Sequence, residues 1–508
     1  MEILIPIIAC LFVFSGDRRR KVGLFFFLAL FLMAIFLQKG AKGPLGNFNL
    51  WTFERIPYLI DIFRNPQRFG SIVAFSYAPL LGIGVYLIYD FVVKRFRRVW
   101  LSVCLLLIFS STFVFYSLPF WTGELFHPGG QVIPSERIQI PDYYALAREW
   151  LHREGEEMAR IYPLPFPERY HMAFKWKHGY AEMNPVAYLL DTSVIAYNDN
   201  SPGYKVPLLI GQKIEEGYNG DLARLLSLLQ VKYLLLHRDA YWEYLKMQPN
   251  SFFGESEERI ESFLDGQENI HFQRSFGLLD FYKIPDQYFL PRIYPAAKPI
   301  LVNGSIDEMF EAVTSDNFTI GNNALFLSNQ TSKSQREFLE KYMRVGTNYS
   351  PTITFQKINP TRYVVRVDNA TSPFFLVFSE SYHRQWKAYL ESKPLEFNEI
   401  IAEYSNTGVR EARHEMRFTP GDISYLFKKP ISEDRHFLVN GYANAWYIDP
   451  KEIGKENFTV TLYFRPQSYF YMGLIISGLT FLGCAGYLVY GWRKRRCRTR
   501  EPNSLTGS

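Results

Sequence analysis

The chain has 508 residues, a net charge of +6 and a near-neutral mean hydropathy of -0.11. This length predicts two or three structural units. The basic residues fall in clusters at 18–21, 94–98 and 493–500, each beside an apolar run. Charges placed in this way set membrane topology, so they argue against a nucleic-acid partner.

Apolar runs open and close the chain. The runs at 70–93, 99–118 and 469–492 have the roughly 20 residues that a helix needs to cross a bilayer. Two earlier runs, at 3–15 and 22–38, are shorter and either span a thinned bilayer or form a shallow hairpin. The sequence therefore predicts about five transmembrane helices.

The positive-inside rule orients these helices. With all three basic clusters in the cytoplasm, the loop at 39–69 and the polar region after residue 118 lie outside. The expected organisation is a transmembrane region at 1–118, a closing helix at 469–492 and a basic cytoplasmic tail at 493–508. The sequence thus predicts a multi-pass protein of the plasma membrane, with membrane lipid as a partner and its large region extracytoplasmic.

The large region divides in two by sequence pattern. Residues 119–290 mix helical periodicity with short apolar strands, which predicts an α/β domain. Helices are expected at 141–154 and 221–230, and strands at 159–162, 231–236 and 276–284. Residues 291–468 alternate apolar and polar residues at 352–358, 362–367, 373–379 and 457–464, which predicts a mostly-β, sandwich-like domain.

Motifs of common enzyme chemistry are missing or incomplete. His237-Arg238-Asp239 copies a kinase catalytic loop, but Tyr244 stands where the metal-binding Asn would be. The histidines and cysteines show no metal-ligand spacing, and no nucleotide-binding glycine motif occurs. We therefore expect neither a metal nor a cofactor.

The second outer part carries six Asn-x-Ser/Thr sequons, more than composition predicts. A polar Asn/Ser/Thr-rich β surface explains the excess about as well as glycosylation does. The candidate acceptors are Asn303, Asn317, Asn329, Asn348, Asn369 and Asn457.

Two arginines, Arg64 and Arg68, flank a proline turn in the outer loop before the helix at 70–93. Arginine forks suit phosphate oxygens, so a lipid phosphate is one ligand for this loop. Interfacial anchoring by snorkelling arginines explains the same residues, and residue chemistry alone favours it.

Aromatic residues and charges concentrate at 380–389 and 441–447. Tyr382, Trp386 and Trp446 could stack on sugar faces. Core packing and turn anchoring are the more frequent roles of such residues.

Several short motifs together carry a family resemblance. They are Gly-Pro-Leu-Gly at 43–46, Phe-Arg-x-Pro-x-Arg-Phe at 63–69, Leu-Leu-x-x-Leu-x-Val-Lys-Tyr at 225–233 and Tyr-x-x-x-Trp-x-Ala at 382–388. With them, the chain resembles the carboxy-terminal part of YfhO-type multi-pass proteins and their archaeal relatives. These are similar to C-type-fold (GT-C) membrane glycosyltransferases, including mycobacterial arabinofuranosyltransferases.

The resemblance implies sugar transfer from a polyprenyl-phosphate donor in cell-surface glycan or glycoprotein assembly. It gives the phosphate interpretation of Arg64 and Arg68 equal weight with anchoring. The family's catalytic acid lies in a first outer loop, whereas only Glu2 precedes the first apolar run here. We therefore expect the catalytic residue to be missing: the chain is either a truncated gene product or one half of a split enzyme, whose amino-terminal partner subunit would supply that residue. The alternative is a non-enzymatic, membrane-anchored module that binds glycan or a protein.

Overall fold

A computed structural model gives the structure of the chain. It describes residues 18–40, 42, 46–55, 66–96, 100, 103–104, 107, 110–111, 114–115, 117–122, 138–153, 160–166, 171–177, 179–196, 203–243, 256–345, 349–391, 397, 399–404, 406–415 and 417–498. The chain divides into two compact units, residues 1–127 and residues 128–508.

The first unit is helical where it is described. Its helices are α1 (Arg18–Gln38), α2 (Gly46–Arg55), α3 (Gly70–Phe96) and α4 (Leu118–Thr122). α1 packs against α3 through the buried side chains of Leu24 and Leu80. The ring of Phe31 stacks on Tyr77 with 5.3 Å between the ring centroids. Helices thus form over the runs predicted at 22–38 and 70–93, and both extend slightly further.

Two of the described helices are long and apolar enough to cross a membrane, over Gly70–Arg95 and Pro466–Lys494. Leu24–Gln38 is a shorter apolar helix. The run predicted at 3–15 lies outside the described residues, and only scattered positions of the run at 99–118 are described. A five-helix membrane region therefore stays a prediction, whereas apolar helices joined to mixed helices and sheets are observed.

The first part of the second unit is a mixed sheet with surrounding helices. Its elements are α5 (Tyr143–Arg153), β1 (Arg160–Leu164), β2 (His171–Phe174), β3 (Tyr180–Met183), α6 (Val186–Leu190), β4 (Ser193–Val194), α7 (Lys205–Glu215), α8 (Leu222–Leu228), β5 (Val231–His237), α9 (Glu257–Asp265), β6 (His271–Phe276) and β7 (Leu279–Lys283). The strand order is β4-β1-β5-β7-β6, with β1 parallel to both its neighbours and β7 antiparallel to β5. β2 and β3 form a separate hairpin.

Local sequence explains these elements. The Asp221 side chain accepts a hydrogen bond from the Arg224 backbone N–H at 3.2 Å, which caps the start of α8, the helix predicted at 221–230. The strand predicted over 276–284 is instead the end of β6, a turn and β7. Gly277 adopts a φ of +56° in that turn, a conformation that favours glycine.

The second part is built from two larger sheets. Its strands are β8 (Ile293–Ala296), β9 (Lys298–Val302), β10 (Asn323–Leu327), β11 (Thr352–Asn359), β12 (Arg362–Asp368), β13 (Phe374–Ser381), β14 (Trp386–Glu391), β15 (Ile400–Tyr404), β16 (Val409–Ala412), β17 (His436–Val439), β18 (Ala443–Ile448) and β19 (Phe458–Phe464). Its helices are α10 (Ile306–Thr314), α11 (Lys333–Val345), α12 (Pro450–Ile453) and α13 (Pro466–Arg498), and a 3-10 helix covers Pro420–Leu426.

These strands form sheets of order β14-β19-β12-β11-β16-β15 and β17-β18-β13-β8, with β9 and β10 as a parallel pair. Tyr363 on β12 contacts Phe378 on β13 edge to face, with centroids 4.9 Å apart, so the two sheets pack through aromatic rings. One cluster of buried residues runs from the α/β part into these sheets. The boundary predicted at 290 and 291 falls just before β8, inside this continuous core.

Candidate functional site

A cavity of about 420 Å³ lies where the α/β part meets the sandwich. This volume is within the range typical of small-molecule sites, roughly 300–1,000 Å³. Its lining combines one charged pair with several hydroxyl groups: Arg160, Glu380, Thr192, Ser193, Tyr204, Ser381 and Tyr442. Convergent polar groups of this kind can bind a polar ligand, and hydroxyl-rich ligands fit them best.

Arg160 joins the two parts of the unit. It opens β1 of the α/β sheet, yet one of its guanidinium nitrogens donates to the backbone carbonyl of Ser379 in the sandwich. The other donates to the carbonyl of Leu229 at 3.2 Å and to the hydroxyl of Tyr442 at 3.5 Å. The guanidinium is therefore fixed in place at the cavity wall.

Glu380, at the end of β13, lies between two arginines. Its Oε1 atom is 3.2 Å from Arg160 and 2.7 Å from Arg292. Burial acts to raise the pKa of this carboxyl, but Arg292 and Arg160 outweigh it, so the pKa lies below its usual value. Glu380 is an anion that can accept hydrogen bonds from a ligand and cannot donate a proton at neutral pH.

Positive charge exceeds negative charge around this pair. Arg292 is 4% exposed, and its Nε and second terminal nitrogen have no hydrogen-bond partner among the described residues. Burial, and then the charge of Arg292, lower the pKa of nearby Lys357. Glu411 also acts on Arg292, so three cations, Arg160, Arg292 and Lys357, stand against the two carboxylates of Glu380 and Glu411. The surroundings of the cavity therefore favour a ligand that carries negative charge.

Gly203 makes the closest backbone approach at the cavity. A Cβ atom there would lie 2.0 Å from the Cβ of Tyr442, so no other residue fits without movement of the chain. The Tyr442 hydroxyl in turn donates to the carbonyl of Leu228 at 2.8 Å. This contact sets the position of the first turn of α7 against the sandwich.

No protein-family model and no curated protein sequence matches the chain. Among solved structures, the chain is similar to the arabinofuranosyltransferase AftD from mycobacteria, with a TM-score of 0.35 and 11% identity. The match covers 86% of this chain and 39% of that one. A mutant of the same enzyme gives a TM-score of 0.34 with 11% identity, over 86% and 41% of the two chains. The chain thus spans about two fifths of the length of these proteins.

Of the two arginines predicted to contact a donor phosphate, Arg68 is described and is exposed at the end of a 3-10 turn, Pro66–Phe69. Its carbonyl accepts a hydrogen bond from the Ser71 hydroxyl at 2.9 Å, while the neighbouring Phe69 is buried. Arg64 lies outside the described residues. A joint phosphate site at these two residues stays a prediction.

The aromatic residues proposed to stack on sugars lie mainly in the core. Trp386 is 7% exposed and packs on Phe378, with centroids 4.9 Å apart. Trp446 is 1% exposed and stacks on His436 at 4.6 Å. Neither indole offers a ring face to a sugar, so the stacking hypothesis is corrected for both and core packing replaces it. Tyr382 is half-buried and contacts the same His436 ring at 4.9 Å.

The described sequon asparagines are all exposed: Asn303, Asn317, Asn329, Asn369 and Asn457. Asn348 lies outside the described residues. The backbone N–H of Asn369 donates to the side-chain oxygen of Asn457 at 2.8 Å, so these two sequons are neighbours in space. Their exposure is compatible with glycosylation, whose use stays a prediction.

The His-Arg-Asp triplet forms part of the core. The Asp239 carboxylate accepts hydrogen bonds from Tyr144 at 2.8 Å, Trp176 at 2.7 Å and Tyr143 at 2.9 Å. Burial acts to raise its pKa, but the hydrogen bonds, that of His237 first, lower it overall. The triplet therefore anchors β5 against α5 and the β2 strand, as expected for a chance match to the kinase motif.

Sequence patterns missed the cavity. Arg160 stands within the predicted strand at 159–162, and Glu380 in the aromatic segment at 380–389, but nothing in the sequence pairs two residues so far apart. An arginine at the start of a fully buried strand is the available signal, because buried guanidinium groups need a partner.

Proposed function

We propose that the chain is an integral membrane protein related to polyprenyl-phosphate-sugar-dependent glycosyltransferases, acting in cell-envelope glycan assembly. The two apolar helices and the basic clusters support the membrane placement, with residues 128–465 outside the cytoplasm. The sequence motifs support the link to sugar transfer. Within this role, the cavity holds a saccharide that carries a carboxylate or phosphate group.

The observation that carries the proposal is the Arg160–Glu380 pair in the wall of the cavity. A carboxylate accepts hydrogen bonds from vicinal sugar hydroxyls, and the positive charge of a fixed guanidinium attracts acidic oxygens. The hydroxyls of Thr192 and Ser193 add further contacts from β4. The excess positive charge beside Arg292 favours an acidic sugar over a neutral one.

A binding test uses the full chain in lipid nanodiscs and an array of acidic and neutral glycans. Ala196, at the cavity mouth, is exposed, and Ala196→Trp should block entry without touching the charged pair. The matched control is Ser275→Trp, on the exposed edge strand β6 at the opposite side of the same sheet. We expect binding to acidic glycans that Ala196→Trp abolishes and Ser275→Trp retains. Equal binding by both variants, or no binding by the parent chain, contradicts the proposal.

A second experiment addresses the membrane loop. A short-chain polyprenyl-phosphate monosaccharide is titrated into the nanodisc-embedded chain. We expect binding that is lost in the Arg64→Ala, Arg68→Ala double variant and kept in Lys42→Ala, since Lys42 is an exposed cation of the same loop. Unchanged binding in the double variant assigns these arginines to interfacial anchoring.

One observation favours the alternative of a non-enzymatic glycan-binding module. Glu380 is held as an anion by two arginines, so it can accept a hydrogen bond from a ligand but cannot serve as a general acid. Glycan binding at the cavity together with failure to bind the polyprenyl-phosphate sugar would support the module and contradict the transferase relationship.

A further inference from the structure

A short segment lies against the start of the last helix. Residues 418–429, which include the 3-10 helix Pro420–Leu426, run beside the first turns of α13. The Ser468 hydroxyl donates to the carbonyl of Asp422 at 2.8 Å. Arg465, the residue between β19 and α13, donates to the carbonyl of Leu426 at 3.3 Å. The segment is therefore fixed to the base of the helix.

The segment also reaches along the helix. The ring of Phe418 contacts Tyr471 edge to face, with 5.3 Å between the centroids. Tyr471 is the sixth residue of α13, so Phe418 lies about 7 Å beyond the start of the helix axis, at roughly 1.5 Å per residue. The apolar side chains of Phe470 and Leu474 are exposed at this height. Phe418 thus stands beside the beginning of the apolar helix surface.

Two large aromatic side chains of the segment face away from the protein. Phe418 is 67% exposed and Phe427 is 87% exposed. Phe427 is followed by Lys428 and Lys429, both exposed. Exposed aromatics next to lysines are typical of the zone where lipid headgroups meet acyl chains, and exposed apolar patches mark interaction surfaces.

The geometry points to a lipid-inserting segment. We propose that residues 418–429 insert into the outer headgroup layer of the bilayer, with Phe418 and Phe427 in contact with lipid and the lysines near phosphate groups. The bilayer is the occupant because the surface is continuous with a helix that is apolar enough to span it. The inference rests on the membrane placement proposed above. The segment would add a second contact, beside α13, that fixes the height and tilt of the outer region over the membrane.

The test uses the full chain with its four cysteines as the starting point. Cys10, Cys104, Cys484 and Cys497 are replaced by serine, and Phe427→Cys then carries an environment-sensitive fluorophore in nanodiscs containing headgroup-proximal spin-labelled lipid. The matched control is Tyr188→Cys, because Tyr188 is 81% exposed on α6, away from α13. We expect several-fold stronger quenching and a shorter-wavelength emission maximum at position 427.

A label at a third position tests the membrane placement of α13 separately from the insertion of residues 418–429. A chain that keeps only Cys484, which is exposed in the middle of α13, is labelled in nanodiscs whose lipid carries the spin label deep in the acyl chain, and it reports whether that helix is in the bilayer. Quenching at 484 without quenching at 427 overturns the lipid-inserting segment alone. Absence of quenching at 484 overturns the membrane placement itself. A blue-shifted but unquenched label at 427 indicates cover by protein, which also overturns the inference.

Discussion

The carboxylate of Glu380 lies 2.7 Å from a terminal nitrogen of Arg292, a residue that is only 4% exposed, and the same oxygen also contacts Arg160. One anion is therefore the shared partner of two guanidinium groups contributed by different parts of the unit. The stability of the folded unit therefore depends strongly on this shared carboxylate, because a buried charge without a partner destabilises the folded state.

Replacing that anion should destabilise the second unit. We expect Glu380→Gln to lower the free energy of unfolding by about 3–5 kcal/mol, since both arginines lose their counter-charge. Chemical unfolding of the detergent-solubilised chain measures this. Glu399→Gln is the control, because Glu399 pairs with Arg413 at 2.9 Å on the exposed surface, where such pairs contribute up to about 1 kcal/mol. Equal losses of unfolding free energy in the two variants would show that the buried ion pairs stabilise the unit no more than the exposed pair does.

The close approach at Gly203 gives a second prediction. Gly203→Ala puts a methyl group into the space of Tyr442, so we expect a loss of about 1–3 kcal/mol and a displaced cavity wall. The melting temperature and the glycan affinity should both fall. Gly421→Ala serves for comparison, as a Cβ there meets no atom within 4 Å, and its effect should stay within about 0.5 kcal/mol. A stable Gly203→Ala variant with unchanged affinity would be inconsistent with the packing described.

Buried His436 should make stability depend on pH. Burial lowers its pKa to about 4, against about 6.5 in the unfolded chain. Between these values the unfolded chain binds one more proton, so the contribution is complete above pH 6.5 and is lost as the pH falls towards 4. The loss amounts to roughly 3 kcal/mol at 1.36 kcal/mol per pKa unit.

The variant His436→Phe separates this effect from packing. Phenylalanine keeps an aromatic ring against Trp446 but cannot take up a proton. We expect melting temperatures that are lower throughout, because the contact with Asn444 is lost, but a shallower slope between pH 7 and pH 4. His271→Gln, at an exposed position of β6, should leave the slope of the parent chain. An unaltered slope in His436→Phe would refute the assignment.

The Asp239 network gives a prediction about the triplet. Asp239→Asn leaves one acceptor oxygen facing the donors of Tyr143, Tyr144 and Trp176, so we expect a loss of at least about 2 kcal/mol. Asp286→Asn, at a residue that is 69% exposed, should change stability little. Thermal melts of the two variants distinguish a core role from a surface one. Loss of glycan binding without loss of stability in Asp239→Asn would instead indicate a binding role.

Sequence patterns predicted the elements that depend on local chemistry. The cap at Asp221 and the turn at Asn359 and Pro360 each act within a few residues, so α8 and the β11–β12 hairpin form near the predicted positions. The strand predicted at 276–284 contains β7 but only the last residue of β6, because a single glycine, Gly277, is a weak turn signal in a sequence. Local signals of this kind are visible in a sequence, but tertiary contacts decide which of them become a cap or a turn.

Long-range pairing was beyond the reach of the sequence. The neighbours of β13 are β8 and β18, which lie far before and after it in the chain. The buried state of Trp446 follows from that pairing and from its stack on His436, so the sugar-stacking hypothesis failed for a tertiary reason. The Arg160–Glu380 pair likewise exists only once the two parts of the unit have joined.

The continuous core has a consequence for how the protein is made. The four-stranded sheet is complete only with β18, which ends at Ile448 and covers the free edge of β13, the strand whose Ser379 carbonyl accepts from Arg160. If the region is exported as it is synthesised, the α/β part will emerge first. Part of its core will then stay exposed until almost the whole outer region has crossed the membrane. Its biogenesis should therefore depend on a chaperone at the outer face, and chains that stop short of β18 should be degraded there.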